Sequence, residues 1–348
     1  MRVCFVLPSL QNKGPVIVAK NIAEYLVVNG IYCEVFYLSE IVELSFPCKT
    51  TKISFFDFDK ISSFDIVHTH GLRPDLFSFI SPVKRVRRVT TLHSYIKDDF
   101  RFGLGFSKLK TSFFVFLWCV LLVRMDKVVV LSKNAIEYYR HILFKTSNLE
   151  YVYNGVSVIK PKRELLEGEL LSQIATRFKI IGTVSVLTKI KGLKQVIEVL
   201  PGFNDVFFVV VGDGPEKDNL IKLSRELQVD DRCLFLGYKD NATDYLPFFD
   251  FFIFPSYSEG FGLSLIEAAA SKRPCVVSDI PIFRELFDES QVSFVELDNN
   301  DSMEAAISKV IKDGHELSMN MYSRFKRGLT LEAMGEGYLR LYRKLLCD

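Results

Sequence analysis

The sequence predicts an α/β protein of two doubly wound domains, each a parallel sheet with helices on both faces. Three observations carry this. The chain has 348 residues, against a prior of roughly 150 per domain. Short runs rich in Val, Ile and Phe recur between helical patterns, and they are continuous rather than alternating, as strands covered on both faces require. The rhythm stops across the polar stretch Lys160 to Arg177 and then restarts.

In the first domain, read as 1–160, strands are expected at Arg2 to Leu7, Cys33 to Leu38, Ile66 to His68, Val89 to Leu92, Lys127 to Leu131 and Tyr151 to Tyr153. The first helix opens after Gly14-Pro15, since proline suits a first helical turn, and closes at Asn29-Gly30. It carries Val18, Ile22, Tyr25 and Leu26 as one stripe. In the second domain, 161–330, strands are expected at Ile180 to Val184, Phe207 to Val211, Cys233 to Leu236, Phe251 to Phe254, Pro274 to Val277 and Val292 to Val295. Helices are expected near 191–200, 215–227, 263–271 and 301–313. Residues 331–348 form an amphipathic helix with Tyr338, Leu341, Tyr342 and Leu345 at helical spacing, read as crossing back to the first domain. Two such domains bind ligands at the carboxyl ends of their strands, so a central cleft is the expected site.

Composition removes several function classes. Hydrophobic residues make up 49%, charged residues 25%, and 44 Lys+Arg against 42 Asp+Glu leave a net charge of +2. This is neither a disordered chain nor a basic nucleic-acid binder. The longest apolar run, Phe113 to Val123, is too short to span a bilayer. The N-terminal apolar stretch is too short for a secretory signal, so a cytoplasmic location is expected. Seven cysteines without a CxxC pair fit reduced, buried thiols and no zinc site.

The densest information lies between Phe254 and Ala268, FPSYSEGFGLSLIEA. A strand runs into a glycine-containing loop and then a helix, so the backbone N–H groups of Phe261, Gly262 and Leu263 are expected at a helix N-terminus that favours phosphate. Glu259 is expected in the loop and Glu267 two turns into the helix, and an interval counted as eight helical residues, about 800°, places the carboxylates roughly 80° apart on neighbouring faces. Carboxylates are bidentate acceptors suited to vicinal hydroxyl pairs.

Glu259 and Glu267 with seven residues between them, then Ala268-Ala269-Ala270 and Pro274-Cys275-Val276-Val277-Ser278-Asp279, resemble the signature of retaining glycosyltransferases of family 4, which have the GT-B fold. Val211-Gly212-Asp213-Gly214-Pro215, Phe235-Leu236-Gly237, Lys191-Gly192-Leu193, Tyr153-Asn154-Gly155-Val156 and His68-Thr69-His70-Gly71 look like further family motifs in their usual order. The resemblance covers nearly the whole chain. It implies two Rossmann-like domains facing a cleft, the first binding the acceptor and the second a nucleoside diphosphate sugar, with transfer to an acceptor hydroxyl on the leaving-group face and no metal or other cofactor. By the same resemblance Glu267 binds the ribose hydroxyls and Glu259 the transferred sugar. Lys191 reaches the diphosphate, Gly14 faces it, and His93 lines the donor-sugar pocket. His93 and Glu259 are thus the catalytic candidates.

One departure stands out. The family carries an arginine four or five residues before the lysine, and Val186 occupies its place, with Lys189 as the available substitute. That keeps open an alternative, a non-catalytic sugar-nucleotide-binding partner of a glycosyltransferase complex. His70 and Arg73 are the acceptor-side candidates, His70 being taken as cleft-facing and His68 as pointing to the opposite face. Asp57-Phe58-Asp59 has metal-diphosphate spacing but is read as a solvated turn. The stretch Arg101 to Arg124 combines Lys108 and Lys110 with Phe102, Phe106, Phe113, Phe114, Phe116 and Trp118. Part of it is a core helix. Its aromatic excess, with the basic run Lys84 to Arg88, also fits contact with the inner face of a membrane, where a cell-surface glycan on a lipid carrier would be the acceptor.

Overall fold

The computed structural model describes residues 1–98, 100–101, 105–158 and 165–347. The chain divides into two units, one of Met1–Gly155 with Gly328–Asp348 and the other of Val156–Arg327. The expected boundary at 160 lies outside the described residues.

Unit 1 holds a seven-stranded, all-parallel sheet in the order β3-β2-β1-β4-β5-β6-β7. Its strands are β1 (Arg2–Leu7), β2 (Tyr32–Tyr37), β3 (Lys49–Lys52), β4 (Ile66–His70), β5 (Arg87–Thr91), β6 (Lys127–Val130) and β7 (Leu149–Tyr151). Residues Val3 to Leu7 are all fully buried, which is why the run is apolar without alternation. β3 was not expected. Its sequence, Lys-Thr-Thr-Lys, sits at an exposed sheet edge and so carries no apolar signal. The helix Gly14–Val28 buries Val18, Ile22 and Leu26 as the periodicity requires.

The helix Leu331–Cys347 belongs to this unit and packs against Gly14–Val28. The approach is close. A Cβ on Gly335 would stand 2.1 Å from the ring carbon Cγ of Tyr25, so the hydrogen side chain is what lets the two helices meet. At the base of this helix, a Cβ on Gly155 would lie 2.0 Å from the carbonyl oxygen of Thr330. The segment leaving the first body and the segment re-entering it therefore touch.

Unit 2 holds a six-stranded parallel sheet in the order β10-β9-β8-β11-β12-β13. Its strands are β8 (Lys179–Val184), β9 (Val206–Val211), β10 (Cys233–Gly237), β11 (Phe251–Phe254), β12 (Cys275–Ser278) and β13 (Ser293–Val295). Ile181, Val196, Phe208, Ile253 and Ile307 meet in one core, each worth about 1.5–3 kcal/mol of burial. The last helix of this unit runs from Asn300 to Lys326, much longer than the expected 301–313. In each sheet the chain first winds one way and then the other. The reversal falls between β1 and β4 in unit 1 and between β8 and β11 in unit 2. The carboxyl ends of these strands are where doubly wound sheets leave a crevice for ligands.

Candidate active site

In unit 2, β8 delivers the loop 185–192 and β11 the loop 255–262, side by side. Two backbone contacts tie them. Tyr257 N–H donates to the Ile190 carbonyl at 2.8 Å, and Gly192 lies so near Pro255 that a Cβ would be 2.1 Å from its carbonyl oxygen. Gly192 also has φ 65°, a left-handed conformation that a side chain resists. It closes the short 3-10 turn Lys189–Lys191 and starts the helix Leu193–Val199. Gln195, buried in that helix, bonds the Gly192 carbonyl and accepts from the Asp298 N–H at 2.7 Å. Sequence reasoning missed Gln195, whose one signal was a polar residue within an apolar helical stripe.

This scaffold brings Lys191 to Glu259. The ammonium donates to Glu259 Oε1 at 2.6 Å, and both side chains are largely buried. Lys191 Nζ also lies 5.3 Å from the centroid of the Phe254 ring, an added cation–π attraction. An ammonium held by a single carboxylate keeps donors for an incoming phosphate oxygen.

The helix Leu263–Ala270 begins after Gly262, which has φ 82°. Glu259 therefore stands in the loop, and the expected 80° between the two carboxylates does not apply, because the helix begins only at Leu263. Phe261 is buried and Leu263 half-buried, so neither exposes a large apolar surface. Glu267 is the fifth residue of this helix. Its carboxylate is half-buried, has no hydrogen-bond or ion-pair partner among the described residues, and is pushed by burial up to about 7. A desolvated, unneutralised acid beside a sheet's switch point is the kind of group that active sites maintain. Val186, by contrast, is 62% exposed on the loop after β8, and Lys189 is exposed as well. Elsewhere in this unit a cavity of about 360 Å³ is lined by Asp279, Arg284, Glu289 and Phe294. Arg284 is paired there with both acids.

In unit 1, Gly14 opens the helix Gly14–Val28 after β1, with Lys13 as the preceding cap residue. His70 ends β4, and the structure corrects its expected role. It is fully buried rather than cleft-facing, because β4 is interior to the sheet and covered. Its Nδ1 lies 2.7 Å from His93 Nε2, and the two rings stack with centroids 5.0 Å apart. His70 Nε2 is buried without a partner among the described residues. His68 does not point to the opposite face. Residues two apart on a strand share a face, and the His68 and His70 rings stand 4.4 Å apart.

Behind them lies a hydroxyl network that sequence reasoning did not find. Tyr342 O–H lies 2.7 Å from His68 Nδ1, His68 Nε2 lies 2.8 Å from Thr91 Oγ1, and Thr91 Oγ1 lies 3.0 Å from the Tyr338 hydroxyl. Burial holds His68 and His93 at about 3 and His70 well below the ordinary histidine value, so all three imidazoles are neutral near pH 7. His93, half-buried, is the member with an accessible edge. Arg73 is exposed on the helix Leu72–Ile80 that follows β4.

The remaining sequence candidates sort by their contacts. Asp57 accepts from the Ser54 N–H at 2.9 Å and the Ser54 hydroxyl at 2.8 Å, a turn role that holds its carboxyl below the usual range. Among the described residues no group of three or more His, Cys, Asp or Glu is placed to hold a metal ion. Of the basic run, Arg88 is buried and spent on the Ser78 and Ser81 carbonyls, and Arg87 pairs with Asp126, while Lys84 and Arg85 remain exposed. Phe102 lies outside the described residues.

The family model for glycosyl transferases group 1 matches residues 172–327, and that for glycosyltransferase family 4 matches residues 52–159. An O-antigen biosynthesis glycosyltransferase of Escherichia coli, WclY, is 32% identical over 99% of both chains. The chain belongs to glycosyltransferase family 4. This glycosyltransferase also matches, at 30% identity over 57% of its own length and 54% of the relative's, a Campylobacter jejuni protein. That protein is named as an N-acetylgalactosamine-N,N'-diacetylbacillosaminyl-diphospho-undecaprenol 4-alpha-N-acetylgalactosaminyltransferase. Among solved structures, Anabaena HepE in complex with UDP-glucose superposes with a TM-score of 0.83 at 16% identity, over 99% of this chain and 100% of that one. The two parallel-sheet units are those of the GT-B fold.

Proposed function

We propose that this glycosyltransferase moves a sugar, with retention of configuration, from a nucleoside diphosphate sugar to a hydroxyl of a lipid-linked glycan, at the inner face of a membrane and without a metal. The observations that carry the reading are the Lys191–Glu259 ion pair, which joins the loops after β8 and β11, and the unpartnered Glu267 on the helix that follows β11. Glu267 offers two acceptor oxygens to the paired hydroxyls of a ribose. Lys191 supplies positive charge where charge develops on a departing diphosphate, and Glu259 orients that ammonium and accepts from sugar hydroxyls. The neutral His93, backed by the His70 ring, can give or accept one hydrogen bond at the transferred sugar. HepE binds UDP-glucose, and the Campylobacter relative is named for a diphospho-undecaprenol acceptor. Both names support the donor and acceptor classes.

The test is a transfer assay with a panel of nucleoside diphosphate sugars and polyprenyl-diphosphate-linked sugars, with the anomeric configuration of the product read by NMR. An α-linked product from an α-linked donor, formed equally with and without EDTA, is expected. An inverted product, or activity abolished by EDTA and restored by manganese, overturns the mechanism.

A further inference from the structure

From Phe113 to its end, the helix Lys108–Leu122 in unit 1 is apolar around its whole circumference, a composition that in a water-soluble domain belongs to a helix buried on every side. It is not buried on every side. Val115, Cys119 and Leu122 face the core with Met125 and Tyr139, whereas Leu109, Phe113, Phe116 and Leu117 are 87%, 57%, 55% and 39% exposed. At about 100° per residue these four lie in one arc of roughly 100°, with Lys108 and Lys110 flanking it about 100° to either side of Leu109. Phe144, itself exposed, stands against Phe116 with ring centroids 5.6 Å apart and widens the patch. The neighbouring helix Leu72–Ile80 packs on this one and leaves Leu76 and Ile80 partly exposed.

Charge decides what covers such a face. From Arg101 to Met125 the chain carries four cations and no acid. A second copy of this face, or any partner that is not itself acidic, would have to bury uncancelled positive charge, whereas an anionic lipid surface cancels it. We propose that this face docks on an anionic lipid bilayer. Leu109, Phe113, Phe116 and Leu117 sink to the boundary of the acyl chains while the Lys108 and Lys110 ammonium groups stay among the headgroups. Lys110 Nζ already lies 3.8 Å from the Phe106 ring centroid, which leads its stem along the apolar surface. No described helix is long and apolar enough to cross a membrane, so the helix lies in the interface.

The docking helix is fixed to the sheet. Trp118 Nε1 donates to the buried Asp75 Oδ2 at 2.7 Å, and Thr69 Oγ1, next to His70 on β4, donates to Oδ1 at 2.6 Å. Docking thus holds the carboxyl end of β4 at a set depth beside the bilayer, where a lipid-linked acceptor lies. In its purpose this inference rests on the lipid-linked acceptor reading. Vesicle binding, however, is read without any transfer step, so failure of either is seen separately.

The experiment is co-sedimentation of the full chain with vesicles of phosphatidylglycerol and phosphatidylethanolamine, and with pure phosphatidylcholine, at low and high salt. Strong binding to the anionic vesicles alone, weakened by salt, is expected. A Phe113→Ser/Phe116→Ser variant should lose binding at every salt concentration. Lys108→Ser/Lys110→Ser should lower the partition coefficient on the order of tenfold or more at low salt. All four side chains are on the surface, and an unchanged melting temperature confirms a folded variant. Equal binding by wild type and both variants, no binding to anionic vesicles at low salt, or a wild-type dimer that the phenylalanine variant converts to monomer each overturns the proposal.

Discussion

Glu267 gives the sharpest handle on the site, because its carboxyl is held by burial at about 7, where small changes of pH alter its charge. With that value it is ionised in roughly nine-tenths of molecules at pH 8 and one-tenth at pH 6. Hydrogen bonds to a charged acceptor are worth about 1.5–3 kcal/mol. If the ionised form alone makes them to a ribose, the dissociation constant of a nucleoside diphosphate sugar rises roughly six- to tenfold between pH 8 and pH 6. Glu267→Gln should bind about as weakly as wild type at low pH and show no dependence on pH in this range. Calorimetry across the window measures both, using UDP-glucose first and otherwise the sugar nucleotide that most raises the melting temperature. A sugar nucleotide is needed because the terminal phosphate of a free diphosphate titrates near 6 by itself. A flat profile in wild type, or the same slope in Glu267→Gln, refutes the reasoning.

Val186→Arg places a guanidinium on an exposed loop position, so the melting temperature should hold; a diphosphate in reach should bind more tightly by bidentate pairing, and unchanged affinity by calorimetry means that residue 186 faces away from the donor. Gly335→Ala forces a Cβ to 2.1 Å from the Tyr25 ring and should cost about 1–3 kcal/mol by overpacking, read as a lower unfolding midpoint in urea. Acid should weaken unit 1. Burial depresses His68, His70 and His93, so below about 6.5 the unfolded state takes up protons that the folded state refuses, His68 and His93 until about 3 and His70 until well below its ordinary value. Asp75, raised by burial to about 6, acts with the opposite sign down to the ordinary carboxylate range. The net two protons predict a loss of roughly 2.7 kcal/mol per pH unit between pH 6 and 5, and denaturant titrations at the two pH values check it. Stability unchanged across that step would mean that the histidines are protonated in the folded protein.

The features legible in the sequence are those with local causes. Continuous apolar runs marked the covered strands, and the spacing of Val18, Ile22 and Leu26 marked the first helix. The loop from Phe254 to Ala268 announced a strand, a turn and a helix start together. What was illegible depends on neighbours distant in the chain. The polar edge strand Lys49–Lys52 gains its pairing from β2 and has no pattern of its own. The burial of His70 and its pairing with His93 follow from strand order, since β4 and β5 are adjacent interior strands. Asp75 bonds Trp118 and Thr69 across two other elements. The angle between Glu259 and Glu267 could not be had from counting, because the helix begins four residues after Glu259.

The return of the helix Leu331–Cys347 to unit 1 has a consequence for synthesis. All seven strands of the first body leave the ribosome before any of unit 2, but the helix that covers Tyr25 and brings Tyr338 and Tyr342 to Thr91 and His68 leaves only after all of it. The usual N-terminal-first order is thereby interrupted. Unit 2 has its whole sequence available while the first body still exposes the apolar side of β1, β4 and the helix Gly14–Val28. A nascent chain stopped between Arg327 and Leu331 is a finished second body tethered to an unfinished first one. The segments passing Gly155 and Thr330 then close side by side, so completion of the first body is the step that joins the two ends of its discontinuous chain.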